Sequence, residues 1–176
     1  MNIDKFKAIL ADHRKWLTGT GGNRAALRYA DFNGANLSGV NFGYIDLSYT
    51  RFRYADFSGA NLSGVNLSHA DLSYTRFRHA NFSGANFSGV NFSYADLGYT
   101  RCRGANFSDA NLGGVNFSDA DLSYANFTDA NLRQSRLDWA NLSGSQGLLS
   151  SSDWLASNFA QDEHGLIVYK ARAETL

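Results

Sequence analysis

The chain of 176 residues contains no proline, one cysteine and one methionine, and its formal net charge is zero. A single cysteine excludes an internal disulfide and a multi-cysteine metal site. Balanced charge gives no reason to expect a polyanionic partner, so direct nucleic-acid binding is not expected. No apolar run approaches the length of a membrane span. The opening MNIDKFKAIL mixes acidic and basic residues within its first seven positions and lacks the apolar stretch of a signal peptide. These absences together predict a soluble cytoplasmic protein with no membrane partner.

What is present is a period of five. From Ala25 to Gly144, each of 24 positions spaced five apart, Leu27, Phe32, Leu37 and onward to Leu142, holds Leu or Phe, except Cys102. A small or β-branched residue stands two places earlier, Asn or Asp directly before in 19 of the 24 units, and Ser and Gly crowd the two places after. Such a period fits neither an amphipathic helix nor a long alternating strand. Each unit instead reads as a short step with two side chains inward, followed by a corner of turn-forming residues. A chain that turns the same way every five residues must coil, with Leu and Phe on the axis.

The units ADFSG, ANLSG, VNFSY and ADLSY resemble those of the pentapeptide-repeat proteins. That resemblance implies an all-β solenoid, a right-handed quadrilateral β-helix with four units per coil and about six coils. The expected organisation is a capping helix and linker over residues 1–24, the repeat over 25–144, and a terminal cap over 145–176. For the first segment, Ile3, Phe6, Ile9, Leu10, His13, Trp16 and Leu17 share one helical face, with Asn2 as N-cap and Gly19 as stop. For the last, Ser151 or Ser152 is expected to cap a short helix carrying Trp154, Leu155 and Phe159. Leu166 to Tyr169 is then expected as a strand along the last coil's open edge.

A longer repeat lies over the short one. Residues 40–64 recur at 65–89 with 18 of 25 positions identical, a duplication in blocks of five units. Residues 20 apart should stack, which places Arg51 between Asp31 and Asp71, Arg76 between Asp56 and Asp96, and Arg101 beside Asp121. This reads as a charge ladder, with Arg53, Arg78 and Arg103 left without an acidic neighbour. Every repeat-region Tyr occupies the corner two places after the central residue. Tyr54, Tyr74 and Tyr94 should form one column, and Tyr29, Tyr49 and His69 another. Such columns can simply stack on themselves and stabilise the sheet edge to edge. Read as a contiguous aromatic patch, with Arg53 supplying a free cation, Tyr54, Tyr74, Tyr94, Tyr29, Tyr49 and Arg53 form the candidate protein-interaction face.

No nucleophile, acid–base pair or phosphate loop stands out from the repeat, so no enzyme activity, cofactor or metal is expected. Cys102 reads as a small core residue, and His13 as a packed edge residue. Two function classes remain. One is a rigid scaffold for protein–protein contact, monomeric or dimerising through a terminal cap. The other comes from the resemblance, since some pentapeptide-repeat proteins mimic DNA, bind gyrase and protect it from quinolones. Those members are acidic dimers, some with loops interrupting the coil, whereas this chain is neutral and uninterrupted.

Overall fold

The computed structural model describes residues 3–148, 159–161 and 167–169. Helix α1 (Ile3–Leu17) comes first, then a long stack of pentapeptide units, then strands β1 (Phe159–Gln161) and β2 (Ile167–Tyr169). Within the stack, the residue before each central Leu or Phe forms a parallel bridge with its counterpart four units on, from Ala26↔Asp46 to Asn126↔Gln146. One turn is therefore four units, and equivalent places line up in columns. The pairing stays at single bridges because a corner interrupts the chain in every unit. Phe57 N–H donates to Arg76 O at 2.7 Å, and Arg76 N–H returns to Ala55 O at 3.0 Å.

Each corner is a β-turn. The N–H of Ala60 donates to Phe57 O at 2.9 Å, and the same bond recurs along the stack. The fifth place of all 24 units has positive φ, held by Gly in nine and by another residue in fifteen. This is the third position of a type II-like turn, where φ must be positive and Gly is the usual occupant.

The inward columns bury Leu and Phe against one another. Phe57 stacks on Phe77 at 5.2 Å and Phe107 on Phe127 at 5.1 Å, while Phe77 meets Phe82 edge-on at 5.0 Å. Cys102 is fully buried among them. Phe32, in the first turn, is only half-buried because no turn lies beneath it. Inward Thr75 and Thr100 are buried too, their hydroxyls donating to Phe52 O at 2.8 Å and Leu97 O at 2.6 Å. Among the described residues no buried side-chain nitrogen or oxygen lacks a partner.

Outside the core runs a directional amide ladder. Asn86 Oδ1 accepts the N–H of Ser88 at 3.1 Å and the amide of Asn106 at 3.2 Å, and the Asn86 amide donates to Asn66 Oδ1 at 3.2 Å. A rung of Asp can only accept. A donor stands above each: Asn66 above Asp46, Asn91 above Asp71, and Arg51 above Asp31.

Helix α1 lies against the first turn. Its Phe6 ring approaches Phe32 at 5.3 Å and Phe42 at 6.1 Å, with Ile9 and Leu10 on the same face. His13 is 1% exposed, accepts the Ala25 N–H at Nδ1 (3.2 Å) and reaches Gly43 O through Nε2 (2.8 Å). A backbone N–H can only donate and a carbonyl only accept, so the ring is neutral with its proton on Nε2. Gly19, with φ of 68°, ends the helix. Asn2, the expected N-cap, lies outside the described residues.

At the other end the bridges continue one unit past Gly144, to Gln146. Gly147 then takes the place above Phe127, where the column would call for Leu or Phe, and Leu148 is buried. Trp154, Leu155 and the capping serines lie outside the described residues. Phe159 belongs to β1, not to a helix. β2 pairs antiparallel with β1, in the register Phe159↔Tyr169, rather than with the last turn. Five residues of sequence separate the two strands, so this local pairing is cheaper to close than a longer-range one.

Candidate protein-interaction surface

The aromatic columns form at the corners. Tyr54 stacks on Tyr74 at 5.1 Å and Tyr74 on Tyr94 at 5.4 Å, with planes within 19° of parallel. On the adjoining corner Tyr29, Tyr49 and His69 stack at 5.2 and 5.0 Å. A third column, His79 on Tyr99 at 5.2 Å, escaped the sequence reading. All these tyrosines are exposed, from 43% at Tyr49 and Tyr74 to 68% at Tyr29. Their φ values near +60° are costly for any residue with a Cβ, about 1–2 kcal/mol.

Glycine closes several columns from above. Gly114 faces the Tyr94 ring, Gly89 faces His69, Gly64 faces Tyr44 and Gly144 faces Tyr124. In each case a Cβ on the glycine would stand 2.5–2.8 Å from the ring. The alternation of Tyr and Gly at the corners is thus a set of rings and sockets.

An arginine accompanies each aromatic corner, and here the expected free cations are corrected. Arg53 lies 5.7 Å from the Tyr54 ring but also 3.8 Å from Asp71. Arg78 lies 4.8 Å from Tyr99 and 3.4 Å from Asp96. Arg28 sits 5.4 and 5.7 Å from Tyr29 and Tyr49 and 3.8 Å from Asp46. Each reaches diagonally to a carboxylate of the neighbouring column on the next turn, a contact that vertical stacking alone does not anticipate. Arg103 lies 4.5 Å from Tyr124, and its guanidinium reaches the Ser123 hydroxyl at 3.5 Å.

The vertical ladder forms in part. Arg51 meets Asp31 at 2.9 Å and Arg76 meets Asp56 at 3.5 Å, while Arg101 bridges Asp121 through backbone with no ion pair. The Asn33 N–H, then Arg51, hold the Asp31 carboxyl below the ordinary carboxylate range. Hydrogen bonds from the Ser58 hydroxyl and N–H, with Arg76, do the same for Asp56. Both pairs are exposed, so solvent screens them and they add little to stability.

The one thiol is enclosed rather than presented. Burial pushes the Cys102 thiol up to about 12. Among the described residues no cluster of His, Cys, Asp or Glu is placed to hold a metal ion. A cleft of about 240 Å³ between α1 and the first turn, edged by Leu10, His13 and Val40, falls below the ~300–1,000 Å³ of ordinary ligand pockets.

The four-unit turn, the inward Leu and Phe columns and the Asn ladder have a counterpart among known proteins. The family model of pentapeptide repeats matches in eight copies over residues 17–43, 45–84, 85–123, 100–138 and 110–146. The chain belongs to the pentapeptide-repeat family. Pentapeptide-repeat proteins fold as right-handed quadrilateral β-helices. A pentapeptide-repeat protein of the Arabidopsis thaliana thylakoid lumen is 29% identical, over 58% of this chain and 71% of that one, with a TM-score of 0.56. HetL, involved in heterocyst differentiation regulation in a Nostoc cyanobacterium, is 25% identical over 84% of this chain and 93% of that one, with a TM-score of 0.31. QnrB1, a plasmid-mediated fluoroquinolone resistance protein, is 20% identical over 77% and 94%, with a TM-score of 0.27. Among curated proteins, no sequence matches this chain. Among the described residues no helix is long and apolar enough to cross a membrane.

Proposed function

We propose that this pentapeptide-repeat protein is a non-enzymatic rigid scaffold that engages a protein partner through its aromatic corners. Tyr54, Tyr74 and Tyr94 beside Arg53 form the main contact, with Tyr29 and Tyr49 on the adjoining corner. The rod is a quadrilateral β-helix of about six coils, with α1 shielding the first coil and the residues after 144 serving the other end.

One observation carries this reading. The tyrosines occupy backbone positions with φ near +60°, where nine other units use Gly. Stacking returns about 0.5–1.5 kcal/mol per ring pair, no more than the left-handed backbone costs. The rings therefore add little to the fold while remaining 43–59% exposed in the Tyr54 column. Exposed Tyr beside Arg is the composition enriched at interface hot spots. A gyrase-binding DNA mimic would need a predominantly acidic surface, whereas five of the repeat-region arginines lie 2.9–3.8 Å from an aspartate of another turn.

Replacing Tyr54, Tyr74 and Tyr94 together by Gly, the residue nine units already use at this place, should preserve the circular dichroism spectrum. Affinity for the protein captured from the native host should fall at least tenfold, about 1.4 kcal/mol. Equal affinity of the folded triple variant would make the column structural only. A gyrase supercoiling assay with and without quinolone separates the scaffold from the DNA mimic.

A further inference from the structure

We infer that the corner bearing Tyr29 and Tyr49 is the contact surface for a second copy of this chain, bound antiparallel to the first. This names the occupant of one aromatic corner and so rests on reading those corners as contact surfaces. The Tyr54 column on the adjoining corner stays available to another protein.

The zero net charge conceals a polar distribution. Within the repeat, residues 25–104 carry 7 Arg against 5 Asp, and residues 105–144 carry 2 Arg against 5 Asp. Two such rods attract when they lie side by side in opposite directions. The corner column that begins at Tyr29 shows where. Successive turns place there Tyr29, Tyr49, His69, Gly89, Asp109 and Asp129.

Its upper end is chemically unusual within this fold. Asp109 and Asp129 are exposed on consecutive turns, one above the other, and neither makes an ion pair or side-chain hydrogen bond among the described residues. Like charges so placed repel. The lower end carries the complement, two stacked phenols with the Arg28 guanidinium across both.

A two-fold axis perpendicular to the rod, lying in the contact plane midway between His69 and Gly89, reverses the column onto itself. Tyr29 then faces Asp129 of the second copy, Tyr49 faces Asp109, and His69 faces Gly89. Both copies share the same rise of about 4.8 Å per turn, so all rungs meet in register. Phenol hydroxyls donate to the carboxylates, and Arg28 of each copy comes beside Asp129 of the other. Every contact occurs twice, as an isologous interface requires.

The wall beside this corner lets the copies approach. Over the middle turns its two outward columns hold Asn66, Asn86 and Asn106 with Ser68, Ser88 and Ser108, all short side chains, and Arg28 stands only at the end of the strip. A strip of six turns by about 12 Å is roughly 350 Å² per copy, near ~700 Å² in all. That is below the ~1,000 Å² of a stable interface, so the dimer is weak and salt-dependent.

Sedimentation velocity on the full chain tests this. At about 0.01 M salt the protein should dimerise, with Kd rising at least tenfold at about 1 M, where the screening length falls from about 30 to 3 Å. Arg28→Glu and Asp129→Arg should each weaken the dimer at least tenfold, and Asp129→Asn by less. The corner accepts long side chains, since Gln134 and Trp139 take the same backbone conformation, and thermal melts verify folding. Arg28→Glu and Asp129→Arg combined in one chain should restore dimerisation to within about threefold, because opposite charges again face across the axis. A chain monomeric at low salt, single variants without effect, or a double variant that fails to recover each overturns the proposal. The Tyr54, Tyr74, Tyr94 triple variant should dimerise normally, which keeps this result separate from partner binding.

Discussion

Tyr94 lays its ring across Gly114, one turn above, so closely that a Cβ at 114 would stand 2.6 Å from Tyr94 Cδ1. Gly114→Ala must therefore displace the ring as well as strain a backbone at φ of 69°. Gly84, at φ of 65° with nothing within 4 Å of an added Cβ, is the control for strain alone. Gly84→Ala should cost about 1 kcal/mol and Gly114→Ala about 2–3 kcal/mol in urea unfolding. Adding Tyr94→Ser to Gly114→Ala should recover the difference.

Phe77 touches Phe57, Phe82 and Phe92 at ring separations of 5.0–5.8 Å and is fully buried. Phe77→Ala should cost about 3–5 kcal/mol through lost burial and the cavity left behind. Phe32→Ala, at the half-buried first turn, should cost clearly less in the same denaturation experiment.

Helix α1 covers Phe32 and Phe42 and supplies His13 to the Ala25 N–H and Gly43 carbonyl. Removing residues 1–17 should expose that turn and produce large aggregates in light scattering. The milder His13→Ala leaves two polar backbone groups unpartnered and should lower stability by about 1–3 kcal/mol.

Cys102 has its thiol raised from 9.0 to about 12 by burial. The folded thiol stays protonated at pH values where the unfolded one ionises. Its effect on stability is thus nil below about pH 9 and increasingly unfavourable as pH climbs from there toward 12. At pH 8 a thiol-specific reagent should leave the native protein unlabelled, and labelling in urea should track global unfolding.

The period and the inward Leu and Phe positions were legible because each is a one-dimensional pattern. The stacking of every fourth unit came instead from the resemblance to pentapeptide-repeat proteins, since a period of five does not itself fix the units per turn. The left-handed corner was legible only indirectly. Gly at nine fifth places signals positive φ, but Tyr29 and Trp139 at the same place carry no such signal. The bonds of Arg53 and Arg78 were missed because a long side chain reaches Asp71 and Asp96 diagonally, where a column argument looks only straight up. The strand assignment of Phe159 was missed for a different reason. After Gly144 the five-residue rhythm stops, and a lone aromatic fits a helix or a short hairpin equally well.

A block of five units laid on a turn of four has a geometric outcome beyond elongation. Arg28, Arg53, Arg78 and Arg103 recur once per block, and they hold an aromatic ring at 5.4, 5.7, 4.8 and 4.5 Å respectively. Each duplication therefore sets its arginine one quarter-turn further round and one and a quarter turns further along, with Arg28 and Arg53 on the ring of their own unit and Arg78 and Arg103 on a ring one turn above. Four blocks point it in four directions, so neighbouring patches never compete for the same space. The number of copies therefore sets how many such patches the rod carries, and a fifth block would return the patch to the first face, five turns further along.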